Sequence, residues 1–113
     1  MWLAATKPFK NINRIFPTQQ EDIRQMIEAC KKDENIQRII IFGSSVTSSC
    51  NPWSDIDIYF ECQTPPKRYP GIKSSTAVFD KWDNFNADAT LKQEIKEKGV
   101  VVYERQPQHA DAA

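Results

Sequence analysis

Histidine occurs once in the 113 residues, as His109 in the polar terminal stretch RQPQHADAA. Ser-His-Asp and Cys-His catalysis are excluded on that ground, and a histidine-based metal site loses its ligands. Any chemistry falls to carboxylates. Cysteine is also sparse: Cys30, Cys50 and Cys62 form an odd set without C-x-x-C spacing, which fits reduced thiols better than a disulfide framework or a zinc site. Charge of one sign is not in excess, because fifteen Lys and Arg balance fifteen Asp and Glu. No basic stripe interleaved with aromatics is present, so the footprint expected of a bulk nucleic-acid binder is missing. Long apolar runs are missing too. Segments 39–42 and 100–103 are far shorter than the roughly 20 residues that span a bilayer, and the start, MWLAATKPFK, has no charged head followed by a long apolar stretch. These features predict a cytoplasmic protein.

A chain of this length buries one modest core and leaves little room for a separate substrate domain. Residues 1–17 read as an N-terminal extension, 18–104 as the one domain, and 105–113 as a disordered polar tail. Thr18-Gln19-Gln20-Glu21 has the form of a T-x-x-E capping box, and Ile23, Met26, Ile27 and Cys30 follow at i, i+3, i+4 and i+7. That spacing predicts a helix ending near Lys32. Strands are predicted at 36–42, stopping at Gly43, at 55–62, at 76–82 and at 100–104, with Pro65, Pro66, Pro70 and Gly71 marking an exposed loop. A second helix is predicted over 87–98, buried through Leu91 and Ile95, with Gly99 as its C′ stop. The order of elements predicts a small α/β (α+β) fold, in which helices cover one face of a mixed sheet.

The segment FGSSVTSSCNPWSDIDIYFE concentrates the chemistry. Gly43 lets the backbone approach a phosphate without a Cβ, and Ser44 and Ser45 offer hydroxyls and amide donors at the start of the next turn. Asp55 and Asp57 stand two apart on a strand, so both point to one face, where a pair of carboxylates can bridge divalent ions. Oxygen-only ligands favour Mg²⁺ or Mn²⁺. A third acid would complete the set, with Asp80 the first candidate and Asp83 the rival. By strand parity Val78, Asp80 and Trp82 share one face, and Phe79, Lys81 and Asp83 the other. Taken singly, a Gly-Ser after a strand is usually only a turn, and a lone Asp-x-Asp is usually a solvated edge. Two acids opening an otherwise apolar strand are different, because they repel unless a cation lies between them.

The series strand, Gly43-Ser44, spacer, Asp55-Ile56-Asp57 and a later acid resembles the DNA polymerase β-like nucleotidyltransferase superfamily, and within it the minimal nucleotidyltransferases. The ending LKQEIKEKGVVVYE is similar to the family's E-I-x-x-E-G-V-x-x-Y-E. The resemblance implies transfer of a nucleoside monophosphate, AMP from ATP, to a hydroxyl acceptor. It also implies that Asp55, Asp57 and Asp80 hold the metal while Gly43, Ser44 and Ser45 fix the phosphates. A helical HEPN-type protein partner is implied as well, with this chain as its antitoxin or as half of a two-subunit transferase. Family members often carry Arg-x-Arg-Gly after the Gly-Ser, where this chain has Ser45-Val46-Thr47-Ser48. Lys73 and Lys81 are candidates to compensate, against the plainer reading of each as a surface lysine. The alternative from another class is a nucleotide-binding subunit or antitoxin that acts by contact alone. An antibiotic nucleotidyltransferase is the other enzyme reading, and such enzymes are longer chains with their own acceptor domain.

Overall fold

Proline at position 17 starts the first helix, because its ring fixes φ near the helical value and its missing N–H would lack a helical partner there in any case. The structure, a computed structural model, describes residues 8–46, 55–70 and 78–105. Helix α1 (Pro17–Cys30) has Phe16 as its N-cap, with no side-chain cap bond. The capping box expected from Thr18 and Glu21 does not form. Thr18 already lies inside the helix, and Glu21 turns to Arg24 instead, at 2.6 Å. Ile23, Met26, Ile27 and Cys30 are buried as their spacing requires, and the helix ends two residues before Lys32.

Gln19 and Gln20 are buried beside them. The Gln20 amide donates to the carbonyls of Ile12 (3.2 Å) and Ile15 (2.9 Å), tying the preceding 3-10 turn, Ile12–Arg14, to the helix. Ile15 is fully enclosed in the core. Asn11 enters this turn in the left-handed region, φ 60°, a conformation that asparagine tolerates better than most residues. Its side chain donates to the Val101 carbonyl at 2.8 Å.

Four strands form one sheet in the order β3-β2-β1-β4: β1 (Ile36–Phe42), β2 (Ile56–Cys62), β3 (Phe79–Asp83) and β4 (Val100–Glu104). β1 pairs antiparallel with β2 and β4, and β2 pairs parallel with β3. Strand alternation then sorts the side chains. Ile39, Ile41, Ile56, Ile58, Phe60, Val100 and Val102 point to one face and pack against α1. Ile40, Phe42 and Tyr59 point to the other, where they meet Ile95 and Leu91 of α2 (Ala89–Lys98).

The mixed α/β class is the expected one, but the helices do not share a face. Each covers one side of the sheet, because β1 is apolar on both faces and a strand of that kind needs cover on each. Asp88 caps α2, its carboxylate accepting from the Leu91 amide at 2.8 Å. Gly99 ends α2 with φ −69°, outside the left-handed region, so it is not the C′ glycine of a left-handed cap. Its place is fixed by space: a Cβ there would strike the Ile95 carbonyl oxygen and Ile40 Cγ2. Thr76 and Ala77 of the expected third strand lie outside the described residues, as do Cys50, Lys73, His109 and residues 106–113 of the polar tail; Arg105, read as the first residue of that tail, is instead tied to the fold, its guanidinium donating to the carbonyls of Ile36 at 3.1 Å and Asp33 at 3.0 Å.

Candidate active site

Asp57 and Asp80 stand side by side on neighbouring strands. Parallel pairing of β2 with β3 sets Asp57 opposite Asp80 and Tyr59 opposite Trp82, and partners in register project to the same side. That side is the α2 face, because Tyr59 packs there with Ile95. Asp55 lies exposed just ahead of β2. The Asp57 carboxyl is pushed above its ordinary range, first by burial, then by the negative charges of Asp80, Asp55 and Glu94, and last by a hydrogen bond with Asp80. Both burial and like charge disfavour the ionised form. A divalent cation would reverse that preference.

Gly43 closes the cluster from the β1 end. Its φ of +72° lies in the left-handed region, and a Cβ at this position would run into Asp57 Oδ2, with Asp57 Cγ only 3.1 Å away. Any other residue would therefore be strained in backbone and would displace the carboxylate. The 3-10 turn Gly43–Val46 begins at this glycine and takes in Ser44 and Ser45; the side chains of these serines lie outside the described residues.

Asp83 stands apart from this group. It is buried on the opposite face, accepts from the Tyr69 hydroxyl, and accepts from the amides of Phe85 (2.6 Å) and Asn86 (2.9 Å) through its other oxygen. Tyr69 in turn stacks on Phe60 with ring centroids 5.2 Å apart. Asp83 thus fastens the turn after β3 and the loop after β2 to the core. Lys81 also faces away from Asp80, donating to the Pro70 carbonyl at 3.2 Å.

One neighbour of the acid pair escapes a reading of the sequence: Glu94 acts on Asp57 from α2. Trp82, expected by parity on Asp80's face, stands there two residues on, opposite Tyr59. The signal of Glu94 is weak, because it depends on knowing that α2 covers the face that carries the acids. Among the described residues no three His, Cys, Asp or Glu side chains converge closely enough to hold a metal ion. The donor set itself fits a hard divalent cation: all oxygen, two carboxylates in register, and a glycine pressed against one of them.

A small mixed sheet with a glycine turn after one strand and paired acids on the next two defines a nucleotidyltransferase-type fold. Residues 24–108 match the family described as "Polymerase beta, Nucleotidyltransferase", and the chain belongs to that family. A solved structure of the toxin-antitoxin pair MntA-HpeT, in a mutant form with two Asp-to-Glu changes two positions apart, contains a chain of similar fold. The TM-score is 0.58 at 16% identity, over 79% of this chain and 77% of that one. No curated protein matches the sequence.

Proposed function

We propose that this protein transfers a nucleoside monophosphate, AMP from ATP, to a hydroxyl of a second protein in a reaction that depends on divalent cations. The observation that carries this reading is the register of Asp57 with Asp80 beside the left-handed Gly43. Asp55, Asp57 and Asp80 would hold Mg²⁺ or Mn²⁺, which when bound neutralises triphosphate charge and lowers the pKa of the acceptor hydroxyl. Gly43 brings backbone against the phosphates, with Ser44 and Ser45 as donors. In the transfer the acceptor oxygen bonds to the α-phosphorus, the bond from that phosphorus to the bridging oxygen breaks, and pyrophosphate leaves. Asp80, the exposed member of the pair, would take the acceptor's proton.

A second protein is supported by the neighbour's toxin-antitoxin pairing, and a helical HEPN-type toxin with this chain as antitoxin is the reading adopted for it. A second reading, a nucleotide-binding subunit that acts by contact alone, is favoured by one observation: no arginine follows Gly43-Ser44 in Ser45-Val46-Thr47-Ser48. Incubation of the full chain with α-labelled ATP, Mg²⁺ and its co-expressed partner decides between them. Label on the partner that is lost with Asp80→Asn supports transfer. Partner and nucleotide binding without any transferred label moves the assignment to the contact reading.

A further inference from the structure

Helix α2 is two-sided in charge. Glu94 lies on the flank toward Asp57, whereas Lys92 and Lys96, one turn apart, line a groove of about 380 Å³ between the helix and the sheet. The groove's floor is Ile40 and Tyr59, and its far wall is Arg38 with Glu61. Arg38 is already engaged by Glu61 at 3.2 Å and Glu104 at 2.9 Å. Among the described residues neither Lys92 nor Lys96 has an acidic partner within an ion-pair distance. In a chain of zero net charge, Arg38 is therefore offset by its two carboxylates and the groove's uncompensated cations are Lys92 and Lys96.

The groove does not end at its own walls. Tyr59 is the register neighbour of Trp82, which is 38% exposed, and Val78 on the same face and Phe85 in the following turn are 56% and 49% exposed. These three are the exposed large apolar side chains among the described residues. Trp82 stands beside Tyr59 and Val78 precedes Asp80 by two positions, so the basic groove adjoins exposed apolar side chains beside the acid pair. A small anion between two exposed lysines stays in water and gains little. A partner that covers both areas can pair its own carboxylates with the lysines, which gives specificity and a faster encounter, and can bury the tryptophan, a residue type enriched among interface hot spots.

We propose that this face docks a second protein through an acidic segment laid in the α2 groove, with apolar side chains of the same partner against Trp82 and Val78. The proposal rests on the transfer reading only in that the docked segment would bring an acceptor hydroxyl toward Asp80. Charge complementarity names the chemistry of the occupant: carboxylates spaced to meet Lys92 and Lys96.

The test uses the full chain and a fluorescein-labelled peptide of Glu and Leu, compared with a peptide carrying Lys in place of Glu, read by fluorescence polarisation at low and high salt. The acidic peptide is expected to bind and the basic one not, with binding weakened by salt. The double variant Lys92→Glu/Lys96→Glu is expected to lose roughly tenfold or more in affinity, with its melting temperature and its calorimetric titration by Mg²⁺-ATP unchanged. Absence of acidic-peptide binding, equal binding by the double variant, or displacement of the peptide by ATP would each overturn the docking assignment. Loss of Mg²⁺-ATP binding in the wild type would instead count against the acid-pair reading, and the peptide result would stand on its own.

Discussion

Asp80 and Asp83 stand three positions apart on one strand and meet unlike surroundings. Asp80 is exposed beside Asp57, whereas Asp83 is buried and accepts from a tyrosine hydroxyl and two amides. In the proposed reaction Asp80→Asn removes both a cation ligand and a proton acceptor. Turnover is expected to fall by about 10² or more while ATP binding changes much less, and transfer assays paired with calorimetry measure the two quantities. Unaltered turnover would remove Asp80 from the mechanism. Asp83→Asn keeps the shape but can set an amide donor against the Tyr69 hydroxyl, so the expected cost is about 1–3 kcal/mol of stability in denaturant melts. Activity per folded molecule should hold. At Gly43 the argument is steric: alanine would have to adopt φ +72° with its Cβ in the Asp57 carboxylate. Gly43→Ala is expected to lose about 1–3 kcal/mol together with cation-dependent nucleotide binding, and a melt alongside a Mg²⁺-ATP titration checks both.

Elements were legible in the sequence where local pattern decides them. Strand β1 stops at Gly43 as read, β4 spans 100–104 as read, and the two-residue period alone puts Asp80 on the opposite face from Asp83. What pattern cannot fix is which face a helix covers. Leu91 and Ile95 announce that α2 has a buried side, yet nothing in their spacing says that this side meets Ile40 and Tyr59, opposite α1. The nearness of Glu94 to Asp57 follows from that placement and was hidden with it. Proline overrode the capping box at α1, since its fixed φ suits the first helical position better than Thr18 suits the cap. Reading 1–17 as an extension likewise passed over Ile15, whose side chain has no exposed surface. Ile15→Ala is expected to cost about 2–5 kcal/mol, measured by urea unfolding; a cost near zero would mean that this stretch does not belong to the core.

At the scale of the whole molecule, two buried thiols and one acid cluster among the described residues contribute to how stability responds to solution conditions. Cys30 on α1 and Cys62 on β2 share the core under the helix, and burial chiefly pushes them up to about 12 and about 11. Because the folded values lie above the ordinary 9.0, their contribution is fully present below the unfolded value and is lost as pH rises from there through the folded values. Urea midpoints are expected to hold near neutrality and decline in that alkaline window, with a shallower decline in Cys30→Ala/Cys62→Ala. The acid cluster responds to cations instead. Asp57 is held protonation-prone by burial and by Asp80, Asp55 and Glu94, so without a cation these carboxylates oppose one another in the folded state. A divalent ion that binds only the folded form stabilises it by mass action, about 2.7 kcal/mol when its concentration is 100 times its Kd. Thermal melts are therefore expected to rise with Mg²⁺ or Mn²⁺ in the wild type. In Asp55→Asn/Asp57→Asn the cation-free melting temperature should be unchanged or higher, because repulsion has been removed, and the response to Mg²⁺ should vanish. The two halves of this result must appear together. A variant that melts lower without cation would show that the carboxylates are structural, and one that still responds fully to Mg²⁺ would place the cation elsewhere.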